Sequence, residues 1–428
     1  AFDAIRRYLV WRGFDVTYVQ NITDVEDKII AAAQEAGVDM ATLAAEMQKK
    51  FRAAYDALNV LRPDIEPRAT AHVDEMIGLI ETLIEQGLAY PAGGDVYFRV
   101  REHDGYAKLS GRVLDDLLAG ARVDPSEHKD DPLDFALWKA AKPGEPSWVS
   151  PWGDGRPGWH IECSAMSMKY LGNSFDIHGG GSDLIFPHHE NELAQSEGAT
   201  GKTFAKYWLH NGMVNLGGEK MAKSTGHTID LAGAIARYGG PAVRLFYLRA
   251  HYRSPLEFSE ELLEDAVAGL ERLRAFNRRA GASGSASAFV APPVADALER
   301  FGTAMDDDFG TPEALAVLFD IVREGNSLLD RGGDASKLAA AFDSIVGALG
   351  IDLREQGLTD VAGDLEDLAA SLGISGSDEE ATVRAMLDAR EVARAQKDWA
   401  AADAVRDGLA KLGIVIEDSA DGTRWHRR

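Results

Sequence analysis

Apolar positions along the first hundred residues switch between two periods. Phe2, Ile5 and Leu9 recur at helical spacing, which predicts an opening helix, and the chain after Gly13 reads as a strand. Between Thr70 and Gln86, residues Val73, Met76, Ile77, Ile80, Leu83 and Ile84 keep the helical period; Gly87 stops it, and DVYFRV (Asp95 to Val100) reads as a strand. Core packing accounts for all of these positions. From Gly120 to Ser150 the pattern dissolves into polar, Pro- and Asp-rich sequence, which predicts an insertion instead of a core element. FDIHGGGSD (Phe175 to Asp183) reads as a strand entering a glycine-rich turn, and Pro187 suits the first turn of a helix beyond it. Such a strand, loop and helix unit belongs to an α/β domain. RAGASGSASAFVAPP (Arg279 to Pro293) has linker composition, the chain is then helical to about Leu372, and GISGSDEE (Gly373 to Glu380) forms a second hinge. Residues 379 to 412 read as two short helices joined near Asp398, followed by IVIED as a strand and a basic end, TRWHRR.

Composition narrows the class. A chain of 428 residues suggests roughly three domains, and 45% apolar content supports ordinary buried cores. There is no apolar run of 18 or more residues, so no membrane partnership is expected, and a single cysteine excludes a disulfide framework. A cytoplasmic address follows. The opening residues lack a methionine and do not form a signal peptide; a start in mid-element suggests that the protein's true beginning lies upstream. A formal charge of -24 argues against a generic nucleic-acid coating protein, while leaving room for a local basic footprint such as the last six residues.

Candidate chemistry gathers in FPHHENE (Phe186 to Glu192). If Pro187 opens a helix, His188 and Glu192 lie four apart on one face, whereas His189 and Glu190 point elsewhere. Cys163, the lone thiol, precedes His188 by 25 residues in GWHIECSAM, at the start of another expected helix. Cys, His and Glu are all acceptable zinc ligands, and three protein ligands with one open position is the pattern of a working zinc site. The competing account is that Cys163 packs as a small hydrophobe and His189 caps a helix or packs. A second motif, GGEKMAKSTGH (Gly217 to His227), sets two lysines three apart on a glycine-flanked loop, where both reach an anion such as a polyphosphate; otherwise it is a solvated surface.

These residues carry a resemblance. NITDVEDKII (Asn21 to Ile30), PGEPSW (Pro143 to Trp148), GRPGWHIECSAM (Gly155 to Met166), FDIHGGGSDLIFPHHENE (Phe175 to Glu192), KMAKS (Lys220 to Ser224), AHYRSPLEFSEE (Ala250 to Glu261), DDDFGTPEAL (Asp306 to Leu315) and KDWAAADAVRDGL (Lys397 to Leu409) occur in order. The chain resembles the bacterial cysteinyl-tRNA synthetases along essentially its whole length, without the family's N-terminal start. The resemblance implies an α/β fold: a Rossmann-like, HUP-type class I catalytic domain over residues 1–258 with an insertion about 101–150. A helical bundle over 259–372 and a small anticodon-binding module over 378–428 follow. It implies ATP-dependent activation of L-cysteine to cysteinyl-adenylate, with Mg2+ accompanying ATP, then transfer to tRNA(Cys) by a monomer holding one Zn2+.

Position by position, the resemblance puts the family's zinc ligands on Cys163, His188 and Glu192. KMAKS aligns with the Lys-Met-Ser-Lys-Ser signature, making Lys223 the ATP-contacting lysine and Lys220 its assistant; Ala222 replaces a serine, which drops a hydroxyl and keeps both charges. Thr23, Trp159 and His178 match positions lining the cysteine pocket, with core filling as the other role for Trp159. Gly179, Gly180 and Gly181 are expected to let ATP approach the backbone, and Asp183 to bond a ribose hydroxyl. Arg394, Asp403, Asp418 and Trp425 are the expected anticodon readers through guanidinium, carboxylate and indole contacts. Lys397 and Trp399 are expected to brace the helical pair. The family's His-x-Gly-His signature and a second cysteine ligand of the zinc find no counterpart in the 428 residues, so an N-terminally truncated chain that activates cysteine poorly is expected. Three rivals stand beside this reading: a cysteine:aminosugar ligase of mycothiol synthesis, an inactive RNA-binding zinc paralogue, and a naturally short paralogue of altered function.

Overall fold

The computed structural model describes residues 1–114, 128–216, 219–220, 231–281, 292–354, 365, 368–370, 372, 374, 379–396, 398–412, 414–419 and 422–427. The chain divides into two compact units, Ala1–Leu353 and Arg354–Arg428.

In the first unit, α1 (Phe2–Trp11) buries Ala4, Ile5 and Tyr8 along one stripe, as the opening periodicity requires. The strand expected after Gly13 does not form a ladder. Val19 makes a single parallel bridge to Ile65 and Ile22 one to Arg68. The partner segment carries Pro63 and Pro67, which lack the N–H that a continuous ladder needs. Helix α2 (Asp27–Ala36) is followed by α3 (Met40–Ala57), which Asp39 caps by accepting from the Thr42 N–H at 3.1 Å. Helix α4 (Val73–Glu85) buries Val73, Met76, Leu79, Ile80 and Leu83 and ends before Gly87, whose φ of +77° is ordinary only for glycine.

Four antiparallel strands follow in the order β1 (Ala89–Ala92), β2 (Asp95–Phe98), β3 (Phe135–Ala140) and β4 (Gly155–Pro157). Strand β3 overturns the expectation that 120–150 holds no core element: Leu137 and Trp138 are fully buried. Its flanking Asp134 is itself buried and works as a tie, accepting from the Tyr90 hydroxyl at 2.8 Å and the Val100 N–H at 3.0 Å. Beneath this sheet α4 packs with α5 (Trp159–Leu171) and α6 (Glu190–Thr200) in one apolar cluster.

Strand β5 (Phe175–Gly181) pairs in parallel with β6 (Ala205–Asn211), the crossover between them being α6. Pro187 does not open that helix. A wound turn, Ile185–His189, precedes it, with Phe186 in an extended conformation, and α6 begins at Glu190. Strand β7 (Val214–Leu216) pairs with β8 (Glu219–Lys220) and, in parallel, with β9 (Leu256–Phe258).

Helices α7 (Leu231–Tyr238) and α8 (Gly240–Leu248) lead to α9 (Glu260–Gly281), α10 (Pro292–Asp306), α11 (Thr311–Asp330) and α12 (Ser336–Leu349). Their shared core takes in Leu273, Phe276, Phe301, Leu318 and Phe342 and extends to Tyr8 of α1 and Leu245 of α8. Buried Arg244 of α8 reinforces the junction. Its guanidinium donates to the carbonyls of Leu349 and Leu58 and pairs with Asp3 of α1. At the α10–α11 turn, Asp308 and Phe309 hold positive φ of 52° and 59°, fixed by the Tyr252 hydroxyl and Arg253 guanidinium, both donating to the Asp308 carboxylate.

In the second unit, α13 (Glu379–Ala395) and α14 (Trp399–Lys411) meet at Asp398, which accepts from the Ala401 N–H at 3.1 Å. An antiparallel hairpin, β10 (Ile414–Ser419) and β11 (Gly422–Arg427), completes it. The basic end is thus the second strand of a hairpin. Trp399 is exposed and does not brace the helix pair; Lys397 lies outside the described residues.

Candidate active site

The site is built on α5, the Ile185–His189 turn and the ends of β5 and β6. Helix α5 presents Trp159, Glu162, Cys163 and Met166 on one face, because positions three and four apart coincide on a helix. The turn carries His188 under Trp159, the rings stacking at 4.3 Å between centroids. Despite the irregular turn, His188 and Glu192 keep the expected four-residue relation, with His188 Nε2 2.9 Å from Glu192 Oε1. Ligand atoms of Cys163, His188 and Glu192 lie within 4.8 Å of one another.

The donor set fits a zinc ion. Both carboxylate oxygens of Glu192 are buried and neither has a hydrogen bond of good geometry, although His178 Nε2 lies 3.2 Å from Oε2. A bare buried carboxylate is costly unless a cation compensates it. Burial alone would raise the Glu192 pKa, but His178 and His188 outweigh it and hold the carboxyl well below its ordinary range. Burial, then Glu192 and Glu162, pushes the Cys163 thiol well up, so its proton must leave when a metal binds. A second grouping, His178, His189 and Glu192, is equally compact but lacks sulfur. His189 packs among His178, Trp208 and His210, its Nδ1 2.8 Å from His210 Nε2, and gives no side-chain cap; burial first of all lowers its pKa to about 3. Glu190 turns away, accepting from the Ser110 N–H at 2.7 Å.

The structure also gathers the expected pocket residues. The Asn21 amide donates both to Cys163 Sγ and to Thr23 Oγ1, each at 3.4 Å, so Thr23 stands one amide away from the thiol. His178 faces Glu192, and Trp159 covers His188. Gly179, Gly180 and Gly181 close β5, where close approach is made by the chain's own side chains: a Cβ on Gly180 would lie 2.8 Å from the His189 ring. Asp183 sits in the short turn Ser182–Leu184 after them. Lys220 lies on β8, while Ala222 and Lys223 fall outside the described residues.

In the second unit Arg394 and Asp403 are exposed on α13 and α14, Asp403 pairing with Arg406 at 3.0 Å. Asp418 stands opposite Thr423 in the hairpin. Trp425, opposite Ile416, is partly buried against the unit's apolar cluster, so much of its ring packs internally.

Reading the sequence missed Asn21, His160, Glu162 and His210. His160 Nδ1 lies 2.9 Å from His188 Nδ1, and burial first, then His188, lowers its pKa to about 3. The signal for Glu162 was present in its helical spacing from Trp159.

Comparison with known proteins defines the class first. The fold is shared with methionyl-tRNA synthetase of Mycobacterium tuberculosis in complex with methionyl-adenylate, at a TM-score of 0.60 and 17% identity, covering 87% of this chain and 89% of that one. A ternary complex titled Agrobacterium radiobacter K84 agnB2 LeuRS-tRNA-LeuAMS gives a TM-score of 0.58 at 12% identity, covering 82% and 80%. The fold is therefore one that tRNA synthetases use. Family profiles then match residues 1–268 as the tRNA synthetases class I (C) catalytic domain, 300–354 as a DALR domain and 377–425 as a cysteinyl-tRNA ligase anticodon binding domain. The cysteine–tRNA ligase of Thioalkalivibrio sulfidiphilus (strain HL-EbGR7) is 51% identical over 428 residues, spanning 100% of this chain and 90% of that protein. That of Desulforudis audaxviator (strain MP104C) is 48% identical over 442 residues, with the same coverage. The chain belongs to the cysteinyl-tRNA ligase family. No described helix is long and apolar enough to cross a membrane.

Proposed function

We propose that the chain selects L-cysteine through a zinc ion held by Cys163, His188 and Glu192, activates it with ATP and Mg2+, and passes it to tRNA(Cys). In the first step a cysteine carboxylate oxygen attacks the ATP α-phosphorus and diphosphate leaves; in the second a terminal tRNA hydroxyl attacks the acyl carbon and AMP leaves. Lys220 and Lys223 would neutralise charge growing on the phosphates, Gly179 to Gly181 and Asp183 would border the nucleotide, and Thr23, Trp159 and His178 would enclose the side chain.

The observation that carries this reading is the convergence of one sulfur, one imidazole and one buried carboxylate, which lacks a hydrogen bond of good geometry, within 4.8 Å. Zinc supplies a preference for sulfur, and it lowers the proton affinity of a bound thiol, so a thiolate gains what a hydroxyl cannot. Shape alone would separate cysteine from serine by only about 10 to 200-fold. The protein's part would be to hold the ion through Cys163, His188 and Glu192, with Trp159 stacked on the His188 ring. His178, 3.2 Å from Glu192 Oε2, orients that carboxylate.

The labour would divide between catalysis in 1–258 with its insertion about 101–150, support by a bundle in 259–372, and anticodon reading by Arg394, Asp403, Asp418 and Trp425 in 378–428. A cytoplasmic monomer suits a chain with one cysteine and a charge of -24. The test is cysteine-dependent ATP–diphosphate exchange beside metal analysis. One zinc per chain, exchange lost on chelation and restored by zinc, and rejection of serine are expected; undiminished exchange in metal-free protein would overturn the reading.

A further inference from the structure

Glu162 is a deeply buried acidic side chain on α5. It is 1% exposed, its Oε2 has no hydrogen-bond partner, and among the described residues it has no ion-pair partner. Its other polar contact is the Thr23 hydroxyl. The neighbouring cations are already engaged: Arg156 pairs with Asp27 and Glu145, and Lys139 with Asp27. Glu162 borders a cavity of about 280 Å³ that also touches Glu26, Trp159 and His160. Lys129, Lys139 and Arg156 line other parts of the same cavity, and a buried carboxylate at its wall without an ion-pair partner is compensated when a cation arrives.

The position says which cation. Glu162 and Cys163 are consecutive on α5, and Glu162 shares a face with Trp159. A continuous polar path runs from Cys163 Sγ through the Asn21 amide to the Thr23 hydroxyl and on to Glu162. In cysteine the ammonium nitrogen is three bonds from sulfur, so a substrate whose sulfur sits beside Cys163 carries its ammonium toward this path. Resting on the zinc-site reading above, we infer that Glu162, oriented by Thr23, is the residue that receives the α-ammonium group of the substrate. Sulfur recognition and ammonium recognition are then two separate anchors on one helix, and a thiol without an amino group meets only the first. A charge-assisted contact of this kind is among the strong hydrogen bonds.

The experiment measures equilibrium binding of L-cysteine and of its des-amino analogue, 3-mercaptopropionate, to the intact zinc-loaded protein. The native protein is expected to bind cysteine about tenfold or more tighter than the analogue. Glu162→Gln, an isosteric change that removes only the charge, should erase most of that preference, weakening cysteine about tenfold while leaving the analogue within about twofold and zinc content unchanged. Thr23→Val, a second variant should the first fail to fold, should shift the same ratio in the same direction. Equal weakening of both ligands would mean a structural role and overturns the inference, as does unchanged cysteine binding. If zinc removal leaves the binding of both thiols untouched, the zinc-site reading fails and this inference with it; a preference that depends on zinc but not on Glu162 defeats the inference alone.

Discussion

Two helices of similar burial follow opposite rules. Helix α11 buries Ala314, Leu315, Val317, Leu318, Ile321 and Val322, as an amphipathic pattern dictates. Helix α6 buries Glu190, Asn191, Glu192, Gln195 and Ser196, side chains that ordinarily face water. Most of them are compensated. Glu190 accepts from the Ser110 N–H, Asn191 from the Tyr106 hydroxyl at 2.6 Å, and Gln195 donates to Ser164 at 3.0 Å. Glu192 differs, with both oxygens short of hydrogen bonds. Gln195 Oε1 and Ser196 Oγ on the same helix also lack partners, but of the three residues Glu192 is the one that carries charge. The bundle helix is held by area, the other by hydrogen bonds and by the His178 and His188 rings beside Glu192.

Phe342→Ala in the fully buried bundle core breaks that contrast most violently. A loss of about 3–5 kcal/mol in urea unfolding is expected, with zinc content per folded chain unchanged. Glu192→Gln, which removes a proposed ligand, sharpens it from the other side. The loss should exceed the roughly 10 to 100-fold typical of residues behind the ligands, read as metal content per folded chain after dialysis. The smallest effect concerns the bundle side's own buried charge. Burial raises the Asp3 pKa, but Arg244, the Leu61 N–H and Arg7 lower it further, so the net value is depressed. A carboxyl depressed on folding stabilises above its unfolded value of 3.8 and loses that contribution as pH falls through the folded value. Unfolding free energy should therefore decline below about pH 4 by up to about 1.4 kcal/mol per pH unit for this group, and Asp3→Asn should flatten that segment of the curve.

The closeness of Cys163, His188 and Glu192 was legible because helical spacing and donor chemistry agreed, and because a three-residue shift in where α6 begins left His188 and Glu192 one turn apart. Helices α4, α13 and α14 were legible for the ordinary reason that their apolar stripes face a core. Strand β3 was hidden by its polar flanks, whose Asp134 is buried and bonded, a fact no periodicity reveals. The strand after Gly13 was overread because its interruption lies in the prolines of its partner segment, far along the chain. Glu162 escaped because a glutamate beside a cysteine looks like a solvated residue until neighbouring chain closes over it. Trp399 looked like a brace and stands in the open, since an indole at a helix start reads identically whether or not anything covers it.

The clasp at Asp308 joins distant parts by main-chain logic. His251 Nε2 lies 3.0 Å from the Asp308 carbonyl, the Thr311 hydroxyl donates to the Ala250 carbonyl, and a few residues on, Leu256 enters the ladder that holds β7 and, through it, β8 with Lys220. Tension on the bundle therefore reaches β8 through a short, stiff tether, which makes the mechanical registry between the two a built-in property of unit one's covalent route.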